Sequence, residues 1–244
     1  MEYKLLLPEK DPMGQAIRDY FEGGSNARLR VFSSQFEEDE LPVPTLFRTF
    51  GEMPSLERTA LSLCRGRVLD VGAGAGCHSL VLQEQGLDVT SVDISALSAE
   101  VMRRRGIRNV CQCDILNETF VGEYDTVLML MNGSGIIGKL ENMPAFFLRM
   151  KQLLAPGGCI LMDSTDLRYI YEDEDGALDI DLNAGYYGEL DFCMQYKQVK
   201  GDVFDWLYVD FDTLCYYAHE NGFRAEMVEE GEHYDYLARL VREC

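Results

Sequence analysis

From Arg67 onward, short apolar runs alternate with helical segments, and this alternation narrows the folds open to the chain more than any other feature. Val68 to Val71 is followed by glycines and a helix that runs to Gln85 and stops at Gly86. Val89 to Asp93 comes next. Ser95 then caps a helix that ends in Arg103-Arg104-Arg105-Gly106, with cations at the negative end of the helix dipole and glycine beyond it. Val110 to Cys113 and Tyr124 to Met131 are further strands. A helix from Pro144 to Leu154 stops at Pro156-Gly157-Gly158, before a fifth strand at Cys159 to Met162. Strands that alternate with helices pair in parallel through right-handed crossovers. The expected fold is therefore α/β, a doubly wound sheet.

The flanking segments follow other rhythms. Met13, Ile17, Tyr20 and Phe21 form one stripe of an amphipathic helix that ends before Gly23-Gly24. The acidic stretch from Phe36 to Pro44 carries Pro42 and Pro44, which exclude a helix there, and a second helix is expected from about Pro54 to Cys64. Residues 1–52 therefore read as an N-terminal helical cap before a main domain at 53–244. Late in the chain, Leu190, Phe192, Met194 and Tyr196 alternate with less apolar residues, as do Phe204, Trp206 and Tyr208 across the turn at Lys200-Gly201-Asp202. This period of two marks an antiparallel hairpin inserted at about 186–210. A helix from Phe211 to Asn221 and two strands, near Arg224–Val228 and Tyr236–Val241, complete the chain.

Charge limits the partners. Lys and Arg number 22 against 42 Asp and Glu, a net of −20, and the segment from Tyr171 to Cys244 holds 19 acids against 5 bases. Such a surface repels nucleic acid and anionic membranes. It reads either as a solvated face or as a bias towards a cationic ligand. No apolar run approaches the ~18 to 20 residues of a membrane span. The start of the chain has only three consecutive leucines before Pro8, too few for a secretion signal, so a cytoplasmic chain is expected. Eight cysteines without zinc spacing read as reduced thiols, with no metal.

The strongest local signal is Asp70-Val-Gly72-Ala73-Gly74-Ala-Gly76-Cys-His78, between the first strand and its helix. Glycines there remove Cβ atoms, so a ligand can approach backbone amides at a helix N-terminus. A dinucleotide fingerprint would place glycine where Cys77 stands. The alternating Asp-x-Gly-x-Gly-x-Gly instead resembles the first motif of the class I S-adenosylmethionine-dependent methyltransferases. The likeness extends over about Met53 to Cys244, and Leu153 to Gly158 is similar to the family's late motif. It implies a Rossmann-like, mostly parallel seven-stranded sheet whose last strand is antiparallel.

The resemblance also implies roles. Asp93, 21 residues after Gly72, and Ile94 close the second strand, where such an acid holds the ribose hydroxyls. Cys113, Asp114 and Ile115 would meet adenine. Met131, Asn132 and Gly133 would lie beside the methionine portion and the methyl group. The cofactor has no phosphate, so no P-loop lysine is needed. Gly72 to Gly76 can supply backbone donors to its carboxylate, and Asp70 can help hold its ammonium. His78 reads either as an early-helix residue packing near the ligand or as a general base. Asn132, Ser134, Asp163, Ser164 and Asp166 stand at the mouth of the site. The stretches Asp163 to Arg168 and Tyr186 to Glu189 lie where acceptor determinants are expected. Phe47, Arg48 and Phe50 either close over the cofactor or pack the cap onto the sheet. The hairpin around Trp206 lines either the acceptor pocket or a dimer interface.

The resulting expectation is methyl transfer from S-adenosylmethionine to a small-molecule acceptor, by in-line displacement with positioning as the main catalytic device. Two alternatives stay open: a nicotinamide-dependent reductase on the same sheet, and a non-catalytic S-adenosylmethionine-binding protein. The acceptor atom and the oligomeric state are not legible.

Overall fold

A computed structural model describes residues 5–24, 28–172 and 185–243. In chain order the elements are α1 (Pro12–Phe21), β1 (Leu29–Phe32), β2 (Asp39–Leu41), α2 (Ser55–Leu63), β3 (Arg67–Val71), α3 (Cys77–Glu84), β4 (Asp88–Asp93), α4 (Ala96–Arg104) and β5 (Asn109–Gln112). They continue with β6 (Tyr124–Met129), α5 (Met143–Leu153), β7 (Leu154–Thr165), β8 (Glu189–Tyr196), β9 (Val199–Lys200), β10 (Phe204–Leu207), α6 (Phe211–Glu220), β11 (Phe223–Glu230) and β12 (Asp235–Arg242).

Seven strands form the main sheet in the order β11-β12-β7-β6-β3-β4-β5. The pairs among β3 to β7 are parallel, and β12 runs antiparallel to both its neighbours. The strand order reverses direction at β3, so the carboxyl ends of β3, β4 and β6 flank a switch point where open α/β sheets bind ligands. Val68 to Val71 and Thr126 to Met129 are continuously buried, as strands covered on both faces must be. Phe146, Phe147 and Met150 of α5 with Leu214 and Ala218 of α6 cover one face. Leu56, Ala60 and Leu61 of α2 with Leu82 of α3 cover the other.

The hairpin and the cap meet in a second sheet, ordered β10-β8-β1-β2, with β9 on β8. Leu29 pairs with Tyr196 and Val31 with Met194, antiparallel. The cap is thus not purely helical. Its β1 is a strand because β8 and β2 supply its partners, and the alternation Arg28-Leu29-Arg30-Val31 is too short to announce it alone. Pro42 and Pro44 do keep an α-helix out, but a 3-10 turn spans Val43–Phe47 with Pro44 in its first turn, where its missing N–H costs nothing.

Several boundaries differ from expectation. The strand expected to reach Met131 ends at Met129, because Met131 and Asn132 turn into left-handed backbone at φ 67° and 57°. The fifth strand begins at Leu154 and runs through the Pro-Gly-Gly stop to Thr165, with an irregular register opposite Tyr124 and Thr126. The second strand gains Asp88.

Among the described residues no helix is long and apolar enough to cross a membrane. The seven described cysteines are free, and Cys244 lies outside the described residues, as do the first four residues of the leader reading.

Candidate active site

The glycine turn follows β3. Gly72, Gly74 and Gly76 all have positive φ, at 70°, 56° and 79°. Their surroundings differ. A Cβ on Gly76 would lie 2.2 Å from the Ile107 side chain, so this glycine lets α3 pack beside α4. A Cβ on Gly74 would meet no protein atom within 4 Å although the residue is buried, whereas Gly72 is exposed.

Asp93 closes β4 and grips that turn. Its Oδ2 accepts the Gly74 amide at 2.8 Å, and its Oδ1 accepts the Ser95 amide at 2.8 Å. Burial pushes its carboxyl up to about 6, against the pull of those two amide hydrogen bonds. Each oxygen keeps a lone pair for a further donor. The Cys113 amide donates to the Asp93 carbonyl, which brings the end of β5 alongside. There Asp114 caps its own loop by accepting the Leu116 amide.

A second carboxylate, Asp163 of β7, organises the loop after β6. It accepts the amides of Met131 at 3.1 Å and Gly133 at 2.9 Å. Two consecutive non-glycine residues in the left-handed region cost about 1–2 kcal/mol each, and these bonds hold them there. Burial lifts Asp163 to about 6 as well. The Asn132 side-chain oxygen accepts from the Thr165 hydroxyl at 2.7 Å.

The cap covers the gap between the two turns. Ile17 of α1 and Leu46 are buried against Ala75 of the glycine turn and Val101, with Met131 packed on the same cluster. Arg105 lies over the Phe47 ring, 4.7 Å from its centroid, and also donates to the Ala75 carbonyl. Asp11, the N-cap of α1, accepts from the Ser95 hydroxyl and the Gly14 amide.

Several expected site residues take other partners. Asp70 is buried and accepts from the Ser79 hydroxyl at 2.6 Å, so its carboxylate anchors the first turn of α3. Burial raises its pKa. The Ile115 side chain belongs to the main core. His78 is buried and bonds Glu57 at 2.8 Å, and Glu57 also takes Arg48. Burial alone would pull His78 down, but its bonds to Cys77 and Glu57 hold it well above the usual imidazole value. Glu57 is held low: burial raises it, and the His78 and Arg48 contacts outweigh that. The Nε2 of His78 is thus committed to Glu57, away from the mouth of the site. The turn's own amides are also committed. Gly72 and Ala73 donate to the Val92 carbonyl, Gly74 to Asp93, and Gly76 to the Ala73 carbonyl. The expectation that these amides receive a carboxylate fails for those four, because the turn uses them to close on itself.

At the mouth, Ser134 and Ser164 are bonded to each other at 2.8 Å and to the backbone of Leu207 and Val209, so they tie down the start of α6. Asp166 pairs with Arg168 and accepts from the Tyr187 hydroxyl at 2.8 Å. Tyr186 donates to Asp210 at 2.6 Å. Trp206 lies against Gly135, directly after the Asn132 turn, which leaves no room for a Cβ there. Phe47 packs on Tyr20, whereas Phe50 is a surface residue.

Two residues, Glu57 and Arg149, escape sequence reasoning because they act through partners distant in the chain, and Asp163, expected at the mouth of the site, instead holds the loop after β6. Arg149 is buried on α5 and donates to the carbonyls of Ile115, Asn117 and Phe120, stapling the loop after β5.

A methyltransferase-domain family model matches residues 68–158. The chain is 61% identical, over 99% of both chains and with a TM-score of 0.94, to an S-adenosylmethionine-dependent methyltransferase from Bacteroides fragilis solved in complex with S-adenosyl-L-homocysteine. It is 32% identical over 130 residues to the glycine/sarcosine N-methyltransferase of Halorhodospira halochloris, a match taking in 50% of this chain and 46% of that protein. The CcbJ methyltransferase of Streptomyces caelestis shares the fold, with a TM-score of 0.63 at 13% identity. The chain belongs to the S-adenosylmethionine-dependent methyltransferases. S-adenosylmethionine is its cofactor, and the nicotinamide and non-catalytic alternatives give way.

Proposed function

We propose that this methyltransferase acts on a small-molecule acceptor, with the cofactor in the cleft bounded by the glycine turn, Asp93 and the Asp163-held loop. The observation that carries the placement is Gly74, the one glycine of the turn at which an added Cβ would meet no protein atom within 4 Å, gripped by an acid with lone pairs to spare. Asp93 would accept the ribose hydroxyls. Ile94, Cys113 and Asp114 would border the adenine, and Met131, Asn132 and Gly133 would flank the methionine portion. Asp70, His78 and Ile115 act behind the cleft, through α3, Glu57 and the core.

S-adenosylmethionine supplies a methyl group already activated by its sulfonium. The chain's part is alignment: the rigid left-handed turn at Met131-Asn132 and the Trp206 contact behind it fix the direction from which an acceptor atom arrives in line. With the donor bound, the methyl group would pass in line from its sulfur to the acceptor, and a protonated acceptor would release its proton to solvent before entering or after leaving the cleft, which the cap residues Ile17, Leu46 and Phe47 would shield from water during transfer.

Three observations support a small acceptor. Beside Tyr187 lies a cavity of about 290 Å³ bordered by Tyr171, Tyr186, Glu189 and Asp191, a size for a metabolite and a lining for a cationic or hydroxylated one. The net charge of −20 opposes nucleic acid. The curated relative is named for two small amines.

The test is methyl transfer from labelled S-adenosylmethionine to a panel of small amines, phenols and hydroxy acids, with tRNA and a protein extract as controls. Label in a small-molecule product supports the reading, and label only in macromolecules overturns it.

A further inference from the structure

The cofactor's amino-acid tail carries a carboxylate, and four of the amides best placed to receive it, those of Gly72, Ala73, Gly74 and Gly76, already have internal acceptors. Another donor is needed. Among the described residues, one buried side-chain polar atom has no hydrogen-bond partner: Nε of Arg48. The Arg48 side chain is only 12% exposed.

Its position is defined by its neighbours. Glu57 of α2 takes Arg48 on Oε1 and His78 on Oε2, so two cations share one carboxylate. His78 sits in the first turn of α3, two residues after Gly76. Met53 and Leu56, which lie between Arg48 and Glu57 in the chain, share a buried cluster with Cys77 and Leu130, so this segment bridges the glycine turn and the end of β6, the two points between which the proposed cleft places the cofactor's methionine end. A guanidinium presents five donors in a flat fork matched to carboxylate geometry, and Glu57 engages only part of it.

We propose that Arg48 is the donor that receives the carboxylate of the cofactor's amino-acid tail, held in place for it by Glu57. The cap thereby does more than shut the cleft: it brings in a ligand-contacting group that the doubly wound sheet lacks. Glu57 is a positioning residue that keeps the fork oriented, and His78 fixes Glu57 from the other side.

The inference rests on the cofactor occupying the proposed cleft, and the experiment separates the two. S-adenosylhomocysteine and its decarboxylated analogue are titrated into the wild-type protein and into Arg48→Met. In the wild type, loss of the carboxylate should weaken binding about 10- to 100-fold, the worth of a charge-assisted bond. In Arg48→Met the two ligands should bind within about threefold of each other, both near the wild-type affinity for the decarboxylated ligand. Arg48→Lys, which keeps the charge but not the fork, should fall between, and it serves as the test if the methionine variant does not fold. Arg48 is overturned if the wild type binds both ligands equally, or if either variant still discriminates as the wild type does. Discrimination in the wild type that is lost on Asp93→Ala but kept on Arg48→Met would instead move the tail away from Arg48. Failure of the wild type to bind either ligand would sink the cleft itself.

Discussion

Asp93 holds Gly74: the carboxylate at the end of β4 accepts the amide of the glycine that borders the cleft, at 2.8 Å. Two loops that are separate in sequence are therefore one hydrogen-bonded unit. The acid has a structural task before any ligand arrives, and a ribose diol would use what remains of its acceptor capacity.

Replacing Asp93 with alanine should weaken S-adenosylhomocysteine binding at least tenfold, since each charge-assisted bond is worth about 1.5 to 3 kcal/mol. Calorimetric titration measures it directly. Unchanged affinity would remove the ribose assignment.

Acidification should reach the same bond. Burial raises Asp93 and Asp163 to about 6, above the roughly 3.9 of an unfolded aspartate. The fold thus favours their protonated forms, and the stability this contributes is complete at low pH and lost as pH rises through 6. Binding runs the opposite way, because a ribose hydroxyl donates to the ionised carboxylate. Affinity for S-adenosylhomocysteine should be level above about pH 7 and fall by up to tenfold per unit below 6. Asp93→Asn should flatten the Asp93 part of that slope. A wild-type affinity that stays constant down to pH 5 would contradict it.

The glycine turn offers a paired comparison. Gly76→Ala places a methyl 2.2 Å from Ile107 at a φ of 79°, and should cost about 2–4 kcal/mol of stability. Gly74→Ala meets no protein atom and should cost only the left-handed backbone term, about 1–2 kcal/mol, while its methyl enters the cleft and lowers cofactor affinity at least tenfold. Denaturant unfolding and ligand titration on both variants should give opposite rankings. Equal rankings would mean that Gly74 does not face the cofactor.

Arg149→Met leaves three loop carbonyls without their shared donor. Stability should drop by about 3 kcal/mol, and affinity for adenosine, which lacks the amino-acid tail, should fall together with that for S-adenosylhomocysteine. Hydrogen exchange at Cys113 to Phe120 should speed up. Unaltered exchange there would show that the loop holds itself.

What the sequence discloses follows from which interactions are local. The five-strand rhythm, the Ser95 cap and the Asp-x-Gly-x-Gly-x-Gly turn are set by neighbours in the chain, and the strand-ending acid Asp93 stands at a fixed spacing from the glycines. An acid two residues before a glycine turn looks the same in sequence whether it faces ligand or helix, and the 2.6 Å contact to Ser79, which ties Asp70 to α3, has no local signal. Met131 reads as the end of the strand because nothing in its side chain favours positive φ; Asn132 tolerates that region, but the turn starts one residue before it. Their conformation is imposed by Asp163, 32 residues away from Met131. The Arg48–Glu57–His78 cluster was similarly out of reach, since three charged residues on a cap segment, α2 and α3 carry no common period.

The pairing of β1 with β8 has an implication for how the chain is made. Leu29 emerges from the ribosome 167 residues before its partner Tyr196. Meanwhile the α/β core from β3 to β7 can consolidate from contacts of short and moderate sequence separation, whereas the second sheet awaits a closure across that span. The nascent molecule thus passes through a stage with its core strands paired, α1 already able to dock on α4, and β1 still without β8.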